Sequence, residues 1–208
     1  MPALQFTLLD VLLAEPRENL RLDEDLLADG KGVVRLWESS RECVVLGNSG
    51  RPERDLHLDE CRRADIPVLS RCSGGGAVLL GPGCLNYSLV MPLSFYPECR
   101  DVRHSMKWIL NRMVHALGLP ELNCAGHSDL TLNGRKVSGN AQRRTRDAIL
   151  HHGTLLYGFD AARAELFLKA PVREPSYRKG RNHREFLGNL PLAPGEIRQR
   201  ILDAWCGV

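Results

Sequence analysis

Two segments of the chain concentrate residue types that can bind and polarise a charged ligand. Residues 70–78 read Ser-Arg-Cys-Ser-Gly-Gly-Gly-Ala-Val, and residues 128–142 read Ser-Asp-Leu-Thr-Leu-Asn-Gly-Arg-Lys-Val-Ser-Gly-Asn-Ala-Gln. Three consecutive glycines cost backbone entropy, so they mark a place where the chain bends sharply or approaches something closely. A β-bulge or tight turn is one reading of Gly74, Gly75 and Gly76. Arg71 beside them favours the other, because a guanidinium next to free backbone amides can meet a phosphate or carboxylate. In the second segment, Lys136 comes after an Asn133-Gly134 turn whose register fixes its direction. The small residues Ser138, Gly139, Asn140 and Ala141 behind it read as a loop against which a ligand can lie while the ammonium neutralises its charge. Taken together, the two segments point to a site for an acyl-phosphate-type ligand.

Other residues carry weaker signals. Asp129 could hold a cation, orient Lys136, or simply serve a turn. His151 and His152 are adjacent on a strand pattern and must face opposite sides, so at most one points into a site. No further ligands at sensible spacing accompany them to make a zinc centre. Ser176 and Lys179 match S-x-x-K without its companion motifs, and no G-x-S-x-G elbow is present. Residues 173–184, with Arg178, Lys179 and Arg181 around Gly180, read first as a solvated basic loop and second as a surface for an acidic partner.

The elements that must position these residues are set by periodicity. Residues 18–28 predict an amphipathic helix with Leu20, Leu22, Leu26 and Leu27 inward, stopped by Gly30 and Gly32. Residues 33–38 and 43–47 predict strands joined as a hairpin through the turn at 39–42. A helix over 58–64 leads into a strand at 66–70. The glycine run then sits between that strand and one at 77–80, with another strand at 85–90, a β-turn-β pattern that excludes both common phosphate loops. Residues 101–117 give the clearest helix, with Val102, Met106, Ile109, Met113 and Leu117 at helical spacing and Trp108 and Leu110 beside them, read as core rather than a cofactor box. Short strands at 130–132, 136–137 and 148–150 and helices at 161–169 and 194–205 complete the chain.

The 208 residues are enough for one domain with a real core. A net charge of only +3 and 6% aromatic residues argue against nucleic acid as a partner. The seven cysteines form an odd set without a Cys-x-x-Cys, which fits reduced thiols in the cytoplasm. Residues 1–10 lack a basic leader region, and no apolar run reaches the ~18 residues of a membrane span, so neither secretion nor membrane insertion is expected.

Read together, residues 71–78, Asn86-Tyr87-Ser88, Ser128-Asp129-Leu130, residues 134–142 and residues 151–156 resemble the lipoate-protein ligase A family of the biotin/lipoate ligase superfamily, in order, over most of residues 20–190. The resemblance implies an α+β fold: a mixed, largely antiparallel sheet with packed helices, akin to biotin protein ligases and class II aminoacyl-tRNA synthetases. It implies activation of lipoate with ATP and Mg²⁺ to lipoyl-AMP, then transfer to a lysine of a lipoyl-domain acceptor protein.

By that similarity, Arg71 and the run Gly76, Ala77, Val78 and Leu79 contact nucleotide or acyl group, with Ser73, Gly74 and Gly75 beside them. Lys136 bridges the lipoate carboxylate and the α-phosphate. Asn86, Ser138, Gly139, Asn140, Ala141, His152, Gly153 and Thr154 complete the binding set, and Asp129 is the candidate Mg²⁺ ligand. Long family members carry a C-terminal accessory domain and this chain ends at Val208 without one, so a separate accessory subunit is a candidate partner for adenylation. Cys124, just before Asp129, opens an alternative: ATP-independent octanoyl- and lipoyl-transferases of the superfamily use a cysteine nucleophile near the active-site lysine. A non-catalytic lipoyl-binding module is the third reading.

Overall fold

A computed structural model of the chain describes residues 6–207. Residues 1–5, half of the stretch that lacks a basic leader region, and residue 208, the chain end on which the accessory-domain reading rests, lie outside them. In chain order the elements are β1 (Thr7–Leu9), α1 (Pro16–Asp29), β2 (Val33–Glu38), β3 (Cys43–Leu46), α2 (Pro52–Asp55), α3 (Leu58–Arg63), β4 (Val68–Ser70), β5 (Val78–Leu80) and β6 (Cys84–Pro92). After a 3-10 turn at Pro97–Arg100 come α4 (Val102–Leu117), β7 (Leu122–Ala125), β8 (Asp129–Leu132), β9 (Arg135–Arg144), β10 (Ala148–Leu156), α5 (Ala161–Phe167), α6 (His183–Phe186) and α7 (Pro194–Cys206).

Seven strands form the main sheet in the order β1-β2-β6-β10-β9-β8-β7. Its β1–β2 pair is parallel and the others are antiparallel. A second sheet, β4-β3-β5, has β3 parallel to β4 and antiparallel to β5. The fold is therefore the mixed, largely antiparallel α+β architecture expected.

Alternation along β6 sorts the two faces of the main sheet. Leu85, Tyr87, Leu89 and Met91 point into a core with Ile109, Met113 and Leu117 of α4 and Ile197 and Ile201 of α7. Asn86 and Ser88 point the other way, toward α1 and the small sheet. A second core, including Trp37, Val44, Leu79, Leu156 and Phe167, joins the small sheet to the main one. Helix α4 begins where the Asp101 carboxylate accepts from the backbone N–H of His104 at 2.7 Å, and ends at Gly118 with φ 57°.

Several sequence expectations need correction. Residues 39–42 do not close a hairpin: β2 pairs with β6 while β3 lies between β4 and β5, so the chain changes sheets there. The glycine run does lie between two strands, β4 and β5, and β3 sits between them in the small sheet. Residues 138–141 are not a loop but the middle of β9, where Asn140 and Ala141 pair with Gly153 and His152. Val102 is 52% exposed rather than core, because it opens the first turn of α4. On α1, Asn19 and Asp23 are buried with Leu20 and Leu27, while Leu22 and Leu26 are only half-buried.

Candidate active site

A cleft of about 1460 Å³ separates the small sheet from the α1-side face of the main sheet. Its volume exceeds the ~300–1,000 Å³ typical of a pocket for one drug-sized ligand.

The glycine run forms one wall. To pass from β4 to β5 it must cross the end of β3, and there Gly47 lies so close that a Cβ on it would meet the Gly75 carbonyl oxygen at 2.2 Å. Gly75 itself has φ 94°, a conformation that glycine adopts at little cost. Gly76 is different: a Cβ there would meet nothing within 4 Å, and at Gly74 only Asn48 Oδ1 lies as near as 4.0 Å. No protein atom among the described residues would exclude a side chain at these two positions, and of the two only Gly76 lines the cleft. Arg71 is largely engaged with the loop. Its Nη2 donates to the carbonyls of Gly74 (2.7 Å) and Gly76 (3.0 Å), Nε to Ser73 Oγ (3.0 Å) and Nη1 to Val45 O (3.4 Å). That leaves one of the five guanidinium N–H groups for a ligand. Burial lowers its pKa to about 10, so it stays charged at neutral pH.

Lys136 forms part of the opposite wall. The Asn133-Gly134 turn, with φ 51° and 72°, has the two left-handed residues of a tight hairpin and sets Lys136 opposite Thr131. Its Nζ lies 2.8 Å from Asp129 Oδ1, and Asp129 Oδ2 accepts from the Tyr177 hydroxyl at 2.7 Å. The ammonium lies directly over Gly139, where a Cβ would meet Nζ at 2.7 Å and Cε at 2.8 Å. The small residue at 139 is thus the floor on which the lysine rests. Of the three readings of Asp129, the ion pair with Lys136 fits the orienting one.

Of the histidine pair, His152 faces the cleft and His151 the α4 core. His152 Nε2 lies 2.6 Å from Ser73 Oγ, and its Nδ1 3.3 Å from Asp23 Oδ2. Asp23 also accepts from Ser88 Oγ (2.7 Å) and from Arg35 Nη1 (3.0 Å), all of them buried. This cluster staples the glycine run to β10, β6 and α1.

Other members of the sequence-derived set divide. Ala77, Val78, Asn86, Asn140, Ala141, Gly153 and Thr154 line the cleft with Arg71, Gly75, Gly76, Asp129, Lys136, Gly139 and His152. Leu79 does not: it is buried in the core between the sheets because β5 alternates its side chains. Ser73 and Ser138 are buried behind the wall as hydrogen-bond partners rather than at its surface. Cys124 pairs with Leu130, on the α4 side of the sheet and away from Asp129; its thiol donates to Asn111 Oδ1 of α4 at 3.3 Å. Burial raises its pKa, the reverse of what an activated nucleophile needs.

The basic segment is not the solvated loop that its composition suggests. Arg178 is 5% exposed and lines the cleft, its guanidinium 4.6 Å from the Phe186 ring centroid. His183 lines the cleft too, its pKa pushed down to about 4 by burial, with Arg178 and Lys136 adding to the effect. Arg181 donates to the Gly134 carbonyl at 3.1 Å, so this segment is stitched to the turn that leads into Lys136. Asp23, Trp37 and Tyr177 also belong to the site without a sequence signal. Trp37 lines the cleft and its buried Nε1 has no hydrogen-bond partner among the described residues. No periodicity marks any of these, because their roles depend on contacts across the fold.

The residues present do not form a Mg²⁺ cage. Asp129 is engaged by Lys136 and Tyr177, and no group of three or more His, Cys, Asp or Glu among the described residues is placed to hold a metal. Mg²⁺ commonly enters such sites on substrate phosphates, with few protein ligands.

Comparison with known proteins places the chain in a family. The family model described as lipoyl protein ligase A/B catalytic domain matches residues 15–194. Lipoate-protein ligase LplJ of Bacillus subtilis is 31% identical over 153 residues, which span 71% of this chain and 44% of that protein. The chain thus spans under half the length of that relative. Among solved structures, a bi-partite lipoate protein ligase with its E2 lipoyl domain from Thermoplasma acidophilum matches with a TM-score of 0.83 at 22% identity, over 98% of this chain and 83% of that one. Lipoate-protein ligase A bound with ATP matches with a TM-score of 0.74, also at 22% identity, over 98% and 84% of the two chains. At these identities the structural likeness establishes the shared fold.

Proposed function

Because the chain belongs to the lipoyl protein ligase A/B catalytic domain family, we propose that it is a lipoate-protein ligase, which activates lipoate with ATP to lipoyl-AMP and passes the lipoyl group to a lysine of a lipoyl domain. The observation that carries this reading is Lys136, fixed by Asp129 over Gly139 and sharing one cleft with the glycine run. In the first step a lipoate carboxylate oxygen attacks the α-phosphorus, the bond to pyrophosphate breaks, and an acyl-phosphate anhydride forms. Two anions must meet, and a fixed ammonium between them stabilises the charge that builds there. Arg178 adds to the same field. In the second step the acceptor amine attacks the acyl carbonyl and AMP leaves. Mg²⁺ belongs to this scheme as a companion of the nucleotide phosphates.

The alternative transferase loses support from the placement of Cys124 on the far face of the sheet. A binding module would have no need of an oriented lysine. All seven cysteines are free, and no helix among the described residues is long and apolar enough to cross a membrane. The cytoplasm is the proposed compartment.

Incubation with lipoate and an apo lipoyl domain, with and without ATP, tests the reading. Lipoylation that requires ATP is expected. ATP-independent transfer from an octanoyl carrier protein would overturn it. Turnover of preformed lipoyl-AMP without turnover of ATP plus lipoate would assign adenylation to a complex with an accessory polypeptide, the remaining proposed partner.

A further inference from the structure

The α4 side of the main sheet contains a line of polar groups that the proposed chemistry does not use. Tyr87 and His151 are both fully buried among the leucines of that core, an environment where unpaired polar groups are costly. The Tyr87 hydroxyl donates to Asn140 Oδ1 at 2.5 Å and lies 3.1 Å from His151 Nε2. On the other side of the ring, His151 Nδ1 lies 3.2 Å from Gln142 Nε2. Gln142 Oε1 in turn accepts from Ser105 Oγ and Arg144 Nη1, each at 3.1 Å. Arg144 is anchored by the carbonyls of Cys99 (2.6 Å) and Arg100 (3.0 Å).

These bonds admit one consistent direction. The Tyr87 proton goes to Asn140, so the hydroxyl must accept from His151, which fixes the tautomer with hydrogen on Nε2. Nδ1 then accepts from Gln142, and Gln142 from Arg144 and Ser105. Donors therefore run from Arg144 on the surface to Asn140 at the cleft. Burial holds His151 neutral, its pKa lowered to about 3, as this arrangement requires.

The line continues at its inner end. With its Oδ1 held by Tyr87, Asn140 directs Nδ2 to the Ser128 carbonyl (2.8 Å) and to Ser138 Oγ (3.1 Å), while its backbone N–H meets the same Ser128 carbonyl at 2.9 Å. Ser128 precedes Asp129. Gly153 is what leaves room for this: a Cβ there would overlap Asn140 Oδ1 at 1.9 Å and press on Tyr87 Cε1 at 2.9 Å.

We infer that Tyr87 and His151 are positioning residues, which act through Asn140 to hold the 126–128 rim of the cleft and so the Asp129 carboxylate that orients Lys136. The catalytic half of this inference rests on the ligase reading above; the positional half does not.

Hydrogen–deuterium exchange on the full chain separates the two. Tyr87→Phe keeps the core volume and removes the proton donated to Asn140. Faster exchange is expected at the Asn140 amide and across residues 126–129, with the β6–β10 ladder still protected. In the lipoylation assay kcat should fall about tenfold, the loss of one buried hydrogen bond expressed at the reacting atoms, with KM for ATP nearly unchanged. His151→Gln, which can still donate to Tyr87 and accept from Gln142, should keep both readouts near wild type, whereas His151→Leu should shift both in the direction of Tyr87→Phe. Unchanged exchange at 126–129 in Tyr87→Phe, or a glutamine variant no better than leucine, would overturn the inference. A wild-type chain without ligase turnover would count against the ligase reading, and the exchange comparison would still decide this one.

Discussion

Ser73 Oγ and His152 Nε2 lie 2.6 Å apart, joining the glycine run to the centre of the main sheet. Arg71 Nε donates to the same hydroxyl, and Asp23 faces the other ring nitrogen. The arrangement resembles a hydrolase triad in connectivity, but Ser73 is 1% exposed and faces no ligand space. Its consequence is mechanical. Ser73→Ala should leave the sheets folded and weaken lipoyl-AMP binding about tenfold, the worth of one hydrogen bond that fixes the loop. Calorimetric titration with a non-hydrolysable lipoyl-AMP analogue checks it, and unchanged affinity would show that the loop holds its shape without the bond.

Lys136→Ala should abolish lipoyl transfer with the fold intact. The lysine carries charge rather than core volume, and loss of one preorganised group at the developing charge costs about 10²- to 10³-fold in rate. Circular dichroism and the lipoylation assay check both halves. Turnover near the wild-type rate would remove Lys136 from the mechanism.

Two glycines of one run should behave differently. At Gly75 the backbone has φ 94° and an added Cβ meets Arg71 Nη2 at 2.9 Å, so Gly75→Val should cost about 1–3 kcal/mol of stability. At Gly76 no protein atom lies within 4 Å of an added Cβ, so Gly76→Ala should melt like wild type yet bind the lipoyl-AMP analogue more weakly. Thermal melts and titrations on both variants distinguish them. Full affinity in Gly76→Ala would mean that no ligand approaches this backbone.

Cys124→Ser should retain most activity, because the thiol faces Asn111 on α4 and the acyl group waits as a phosphate anhydride. Intact mass after incubation with octanoyl carrier protein is the second measurement. A stable acyl adduct on Cys124 together with loss of activity in the serine variant would restore the transferase.

Stability should fall in acid partly through His151. Its pKa drops from 6.5 to about 3 on folding, so between those values the unfolded chain binds a proton that the folded chain refuses. The contribution is complete above pH 6.5 and shrinks by about 1.4 kcal/mol for each pH unit below it, down to the folded value. Urea midpoints measured from pH 7 to 4 should therefore decline more steeply in wild type than in His151→Gln. Parallel slopes would contradict the burial of a neutral imidazole.

Which residues share the cleft is more legible in the sequence than how the strands around them pair. Lys136 is readable because the Asn133-Gly134 turn is a local signal that fixes the register of the strand after it. The glycine run is readable because three glycines have few other uses. The supposed hairpin at 39–42 is not, since nothing local says that β3 will find its partners in β4 and β5 rather than in β2. Residues 138–141 read as a loop because their β-propensity is poor; they form a strand because both neighbours pair with it, and they are small because Lys136 rests on Gly139. Arg178 reads as solvated because arginine is usually so, and Phe186, which stacks on it, lies eight positions further along. Asp23 sits on a helix whose other acidic residues face water, and its burial depends on Arg35, Ser88 and His152 arriving from three strands.

The passage of the chain out of one sheet after β2 and back before β6 would make any ligand that spans the cleft a structural member. The two walls of the cleft belong to separate hydrogen-bond ladders, joined by side chains, a shared core and the connections on either side of the small sheet. A molecule that touches Gly76 and Lys136 at once acts as a strut between them. Filling the cleft and resisting unfolding then become one equilibrium, and ligand at 100 times its dissociation constant would add about 2.7 kcal/mol to the stability of the folded chain. Proteases that cut at residues 72–76 would register the load directly, sparing the occupied chain and nicking the empty one.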